Sequence, residues 1–148
     1  MSRRVLRGFS ADRLADLRIE AGLTRGELAR LAGVSLGAVQ SWETGRAMPQ
    51  VDSLAKVAAV LDVPINRLVL IEPGKRHLGD LRVLAGLTQP QLAARISLST
   101  TSLSSVELGQ TGLTDDVAGR LAKALNLPVR TVVDAYERTR TRPPNTPA

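Results

Sequence analysis

The chain states one pattern twice. The segment LRIEAGLT at Leu17–Thr24 recurs as LRVLAGLT at Leu81–Thr88, at a constant offset of 64 positions, and the register then holds without a gap. Leu28-Ala29 returns as Leu92-Ala93, Ser35 as Ser99, and Glu43-Thr44-Gly45 as Glu107-Leu108-Gly109. Leu61 and Pro64 return as Leu125 and Pro128. A repeat of this length is too long for a solenoid unit and suits a small domain with a core of its own. Whatever one copy does, the chain does in duplicate, which points towards two sites on an extended partner.

Composition narrows the class. A chain of 148 residues accommodates two small domains. No apolar run is long enough to span a membrane and no leader of the secretory kind opens the sequence. The absence of Cys excludes disulfides, thiolate metal sites and cysteine nucleophiles, and fits a reducing cytoplasm. With only Phe9, Trp42 and Tyr136 as aromatics, there is no stacking platform for single strands. The net charge of +6 suggests a polyanion partner, but it is concentrated at the ends. Arg3, Arg4 and Arg7 precede the first copy, and Arg138, Arg140 and Arg142 follow the second; the remainder holds 14 basic and 14 acidic residues. Those ends read either as solvated tails or as basic arms lying along phosphates.

The periodicity predicts helices throughout and no strands. In the first copy Ser10 is an N-cap candidate, with Leu14, Leu17 and Ala21 on one face and Gly22 as the stop. Thr24 with Glu27 three residues on is a capping-box pattern, and Gly33 ends that second helix. Ser35 opens a third helix reaching about Glu43, Val51 to Leu61 mark a fourth, and Pro64 opens a short fifth. The second copy repeats this order near residues 75–85, 89–95, 99–107, 114–125 and 128–137. The chain thus divides into a basic N-terminal arm at 1–9, a first domain at 10–71, a linker at 72–76, a second domain at 77–138 and a disordered tail at 139–148. The underside of the second and third helices falls to Leu28, Ala32, Val34, Val39 and Trp42, and then to Leu92, Ile96, Leu98, Leu103 and Val106. Ser97 stands where the first copy has the turn glycine, so the second turn is expected to be strained or differently shaped.

These phrases, "LR…AGLT…ELA…LAGVS…V..WE.G…P" and "LR…AGLTQ.QLA…S…L..VE.G", resemble helix-turn-helix domains of the Xre/Cro family across almost all of both copies. The resemblance implies an all-α chain of two tandem five-helix, lambda-repressor-like domains. It also implies that an Arg on the first helix pairs with the Glu closing the third, here Arg18–Glu43 and Arg82–Glu107, as braces of the fold. Base edges would be met from the third helix by Leu36, Gly37, Gln40 and Ser41, and by Thr100, Thr101, Ser104 and Ser105. Phosphate contacts would come from Arg25, Thr44 and Arg46, from Gln89 and Gln110, and from Arg3, Arg4 and Arg7 of the arm. Neither base-reading set holds Arg or Asn, so a share of the recognition falls to DNA shape.

The function that follows is a sequence-specific double-stranded DNA-binding transcriptional regulator, a repressor, working in the bacterial cytoplasm at the nucleoid without cofactor, metal or membrane. The alternative is an adaptor or antitoxin-like module that uses the same fold to bind a protein. A second copy of the chain as partner is left open. Enzyme chemistry finds no foothold: His77 is the only His and suits a solvated or capping role, Asp115-Asp116 suits a helix start, and no phosphate-cradling Gly-rich loop precedes a Lys.

Overall fold

The computed structural model describes residues 6–148, and among them all regular structure is helical. Arg3 and Arg4 lie outside the described residues. The chain divides after Ile71 into two compact units.

In the first unit α1 (Ala11–Glu20), α2 (Arg25–Ala32), α3 (Leu36–Glu43) and α4 (Val51–Leu61) follow the apolar periodicity of the sequence. Their starts are set by short polar side chains. Ser10 Oγ accepts from Arg13 N, and Ser35 Oγ accepts from Ala38 N. Thr24 and Glu27 exchange hydrogen bonds as a complete capping box. Helix α2 packs on α3 and α4, and α1 packs on α3, burying Leu14, Leu28, Val39 and Leu54. Trp42 is buried beneath α3. The fifth element is a single 3-10 turn, Ile65–Arg67. After it the chain returns along the entry segment: Phe9 and Val69 form an isolated antiparallel bridge, Ser10 N donates to Leu68 O, and Leu70 N donates to Gly8 O.

The second unit opens with a 3-10 turn, Pro73–Lys75, and continues with α5 (Leu78–Leu84), α6 (Gln89–Arg95), α7 (Thr100–Glu107), α8 (Asp115–Leu125) and α9 (Val129–Arg140). Buried side chains recur at the repeat offset: Leu78, Leu92, Leu103 and Leu121 stand where the first unit has Leu14, Leu28, Val39 and Val57. Volume is exchanged under the helix pair. Ala32 and Trp42 become Ile96 and Val106, so what one position loses the other regains.

Two sequence expectations resolve here to one of their alternatives, and two are corrected. The turn at Ser97 keeps the left-handed shape of its counterpart, with φ of 56° against 69° at Gly33; a serine occupies a glycine conformation, so the difference is in cost and not in shape. His77 is buried at the N-cap of α5, where its backbone N–H donates to Asp80 Oδ2 at 2.7 Å; the capping role holds and the solvated one does not. The helix α9 runs past residue 138 to Arg140, and Thr139 is fully buried, accepting from Leu78 N and donating to Ala135 O. Finally, 72–76, read as a linker, falls within the second unit, where Arg138 Nε donates to Arg76 O at 2.8 Å and its Nη2 donates to Pro73 O. Arg138 therefore ties α9 to the segment that opens the second unit.

Candidate nucleic-acid interface

The helix pair α2–α3 presents α3 outward because its other side is committed to the core. Val39 and Trp42 point down, while Leu36, Gly37 and Gln40 are exposed and Ser41 is half-buried. Helix α3 is locked to α1 by one carboxylate. Arg18 Nε donates to Glu43 Oε2 at 2.6 Å and Arg18 Nη2 to Glu43 Oε1 at 2.9 Å, while Arg18 Nη1 donates to Leu23 O. Glu43's side chain is wholly excluded from solvent. Burial pushes its carboxyl pKa up, but the bonds and charges of Arg18 and Arg25 outweigh burial and hold it below the ordinary carboxylate value. The same bond to Glu43, against its own partial burial, holds the Arg18 guanidinium more firmly protonated.

The second unit repeats this lock. Arg82 Nε reaches both Glu107 oxygens, at 3.1 and 2.9 Å, and Arg82 Nη1 donates to Leu87 O. Both side chains are buried. The position that opens the second helix joins in each time: Arg25 Nε donates to Glu43 Oε1 and Gln89 Nε2 to Glu107 Oε1, each at 3.1 Å. These two residues, read from sequence as phosphate contacts, are thus anchored to the brace. Arg25 nevertheless keeps 39% of its side chain exposed.

In the first unit a shallow groove is lined by Arg25, Gly37, Gln40, Ser41, Thr44 and Arg46. Six of the seven sequence-derived candidates of that copy's helix pair meet there, with Leu36 outside the groove and 48% exposed. The polar Gln40 and Ser41 thus share the groove with the cationic Arg25 and Arg46. Thr44 contributes less than its position suggested, since its single hydroxyl proton goes to Gln40 O at 2.8 Å. Arg7 is half-buried beside the Phe9–Val69 bridge.

The second unit carries a different surface. Thr100, Thr101 and Gln110 are exposed, and Ser104 and Ser105 are half-buried, so hydroxyls replace the mixed face of α3 and no Lys or Arg stands among them. The loop that follows also differs. A Cβ on Gly45 would meet nothing within 4 Å, whereas one on Gly109 would come within 3.0 Å of Arg140 Cα. Tyr136 donates its hydroxyl to Thr111 O at 2.6 Å, and Arg142 Nη1 donates to Leu108 O at 2.9 Å. Arg140 and Arg142, assigned by sequence to the end of the chain, therefore lie against the loop after α7. Their i,i+3 and i,i+4 spacings carry no sign of that long-range contact.

Among the described residues no helix is long and apolar enough to cross a membrane, and no group of three or more His, Asp or Glu could hold a metal ion. A helix-turn-helix family model matches residues 14–68 and again residues 78–132. The chain is also 41% identical over 61 residues to a Methanocaldococcus jannaschii protein provisionally named an HTH-type transcriptional regulatory protein; the match takes in 40% of this chain and 19% of that relative's length. Matched twice over most of its length, with the brace and the outward third helix formed in both units, the chain belongs to the Xre/Cro-like helix-turn-helix family.

Proposed function

We propose that the protein is a sequence-specific double-stranded DNA-binding transcriptional regulator that sets α3 and α7 into major grooves and represses by occupying its site. The observation that carries this reading is the first unit's groove, where Gln40 and Ser41 can bond base edges while Arg46, and the exposed part of the brace-bound Arg25, can meet the flanking phosphates. Two unequal reading faces on one chain suit two unequal half-sites, so recognition does not require a second copy. The reading is that of a binder and not an enzyme, acting without cofactor at the DNA of a bacterial cytoplasm. The name of the M. jannaschii relative agrees in kind.

A salt titration of the full chain on duplex DNA tests it. Affinity is expected to fall linearly in log–log form, with a slope of about −0.9 for each phosphate neutralised. Arg46→Gln should weaken binding to all sequences alike and reduce the slope by about one contact. Failure to bind any duplex at low salt would sink the reading and favour the protein-adaptor alternative.

A further inference from the structure

The second unit has a recognition helix but no cation in the places where the first unit has Arg25 and Arg46; at those positions it has Gln89 and Gln110. We infer that the end of α9 and the turn after it supply the missing charge: Arg140 and Arg142, carried against the loop after α7, are the phosphate contacts of the second domain. The inference rests on the DNA-binding reading above and goes beyond it by assigning residues outside both helix-turn-helix segments.

Three observations converge on this place. Gly109, with φ of 72°, has the backbone of Arg140 so near that a Cβ there would stand 3.0 Å from its Cα, tighter than ordinary contact. Tyr136, buried in the second unit's core, fixes α9 to the loop through Thr111 O. Arg142 seals the end of α7 by donating from Nη1 to both Leu108 O and Thr139 O, and from Nε to Thr146 O. A duplex whose bases meet Thr100, Thr101, Ser104 and Ser105 brings a backbone phosphate towards this end of α7, as it would towards Arg46 in the first unit. Arg140 is half exposed, and the Glu137 carboxylate that holds it, at 2.8 Å, is equally exposed. An exposed i,i+3 pair of this kind is weak, so a phosphate can take over the guanidinium without a large penalty. Arg130 provides an internal control. It is on the first turn of the same helix, equally cationic, highly exposed and paired with Asp134.

The experiment compares the full chain with Arg140→Gln, Arg142→Gln and Arg130→Gln on a random-sequence duplex long enough for two successive major-groove turns. Each protein is titrated with salt, and its thermal transition is recorded beside it. We expect Arg140→Gln to lower the salt slope by about 0.9, the value for one phosphate, with its melting unchanged. Arg142→Gln should do the same with a lower melting temperature, because a carbonyl cap is lost as well. Arg130→Gln should leave the slope alone. Equal slopes for Arg140→Gln and the unaltered chain would overturn the inference, as would tighter binding, which would make α9 a cover over the reading face. A slope lowered by Arg46→Gln but by neither Arg140→Gln nor Arg142→Gln would overturn it while keeping the DNA reading. No duplex binding by the unaltered chain would remove both.

Discussion

At the scale of single residues the second copy accepts a cost that the first avoids. Ser97 and Gly33 occupy the same turn with left-handed backbone, and the positive φ places a serine Cβ against its own carbonyl. The neighbouring C-caps Asp62 and Asn126, at φ of 55° and 54°, use the short polar side chains that tolerate this region best. Ser97→Gly should therefore stabilise the second unit by about 1 kcal/mol, and Gly33→Ala should cost the first unit about as much. No neighbouring atom lies within 4 Å of a Cβ built on Gly33, so the penalty there is one of conformation and not of collision. Chemical denaturation measures both; an unmoved midpoint for Ser97→Gly would mean that the turn does not hold the left-handed form in solution.

At the scale of elements, one buried carboxylate per unit ties three helices together. Glu43 closes α3, takes two hydrogen bonds from α1 and a third from the first residue of α2. Glu43→Gln should cost the first unit about 1–3 kcal/mol at neutral pH, because the partly buried Arg18 is left without its counter-charge. The pH dependence has a definite sign. Glu43's folded pKa is depressed, so its contribution is complete above the unfolded value of about 4.3 and is lost as the pH falls through the lower, folded value. The stability gap between the unaltered chain and Glu43→Gln should close in that acid window. A gap that stayed constant down to strong acid would show that the carboxylate's charge is not what stabilises the unit.

At the scale of the whole molecule, the two faces proposed to read DNA differ in chemistry. The first offers Leu36, Gly37, Gln40 and Ser41, with Arg25 and Arg46 lining the same groove as the last three; the second offers four hydroxyl residues. Hydrogen-bonding groups discriminate base edges, whereas cations add affinity without sequence information. Replacing Thr100-Thr101 with Ala-Ala should consequently lose more of the specific-to-random binding ratio than replacing Gln40-Ser41 with Ala-Ala, by about 1–3 kcal/mol for a contact of ordinary strength. Competition binding with specific and random duplex reads this directly. Equal losses would indicate a balanced pseudo-dimer, and a loss confined to the first-unit variant would make the second unit the module of assembly.

What the sequence determined by itself was whatever depends on near neighbours or on repetition. The offset between copies announced two domains, and α4 spans the apolar run from Val51 to Leu61 as read. Ser10, Thr24, Ser35 and Gly33 act as caps because a cap is an interaction between residues a few positions apart. The Arg18–Glu43 and Arg82–Glu107 braces were legible only through resemblance, since 25 residues separate the partners. Tertiary structure alone decided that Arg25 and Gln89 turn towards those carboxylates, that Thr139 reaches 61 residues back to Leu78, and that Arg140 comes to rest on Gly109. The chain's last arginines looked like a tail because charge and proline content describe solvation and carry no coordinates. The buried apolar face of α9, with Val132, Ala135 and Tyr136 driven out of water against α5 and α8, settled where those arginines went.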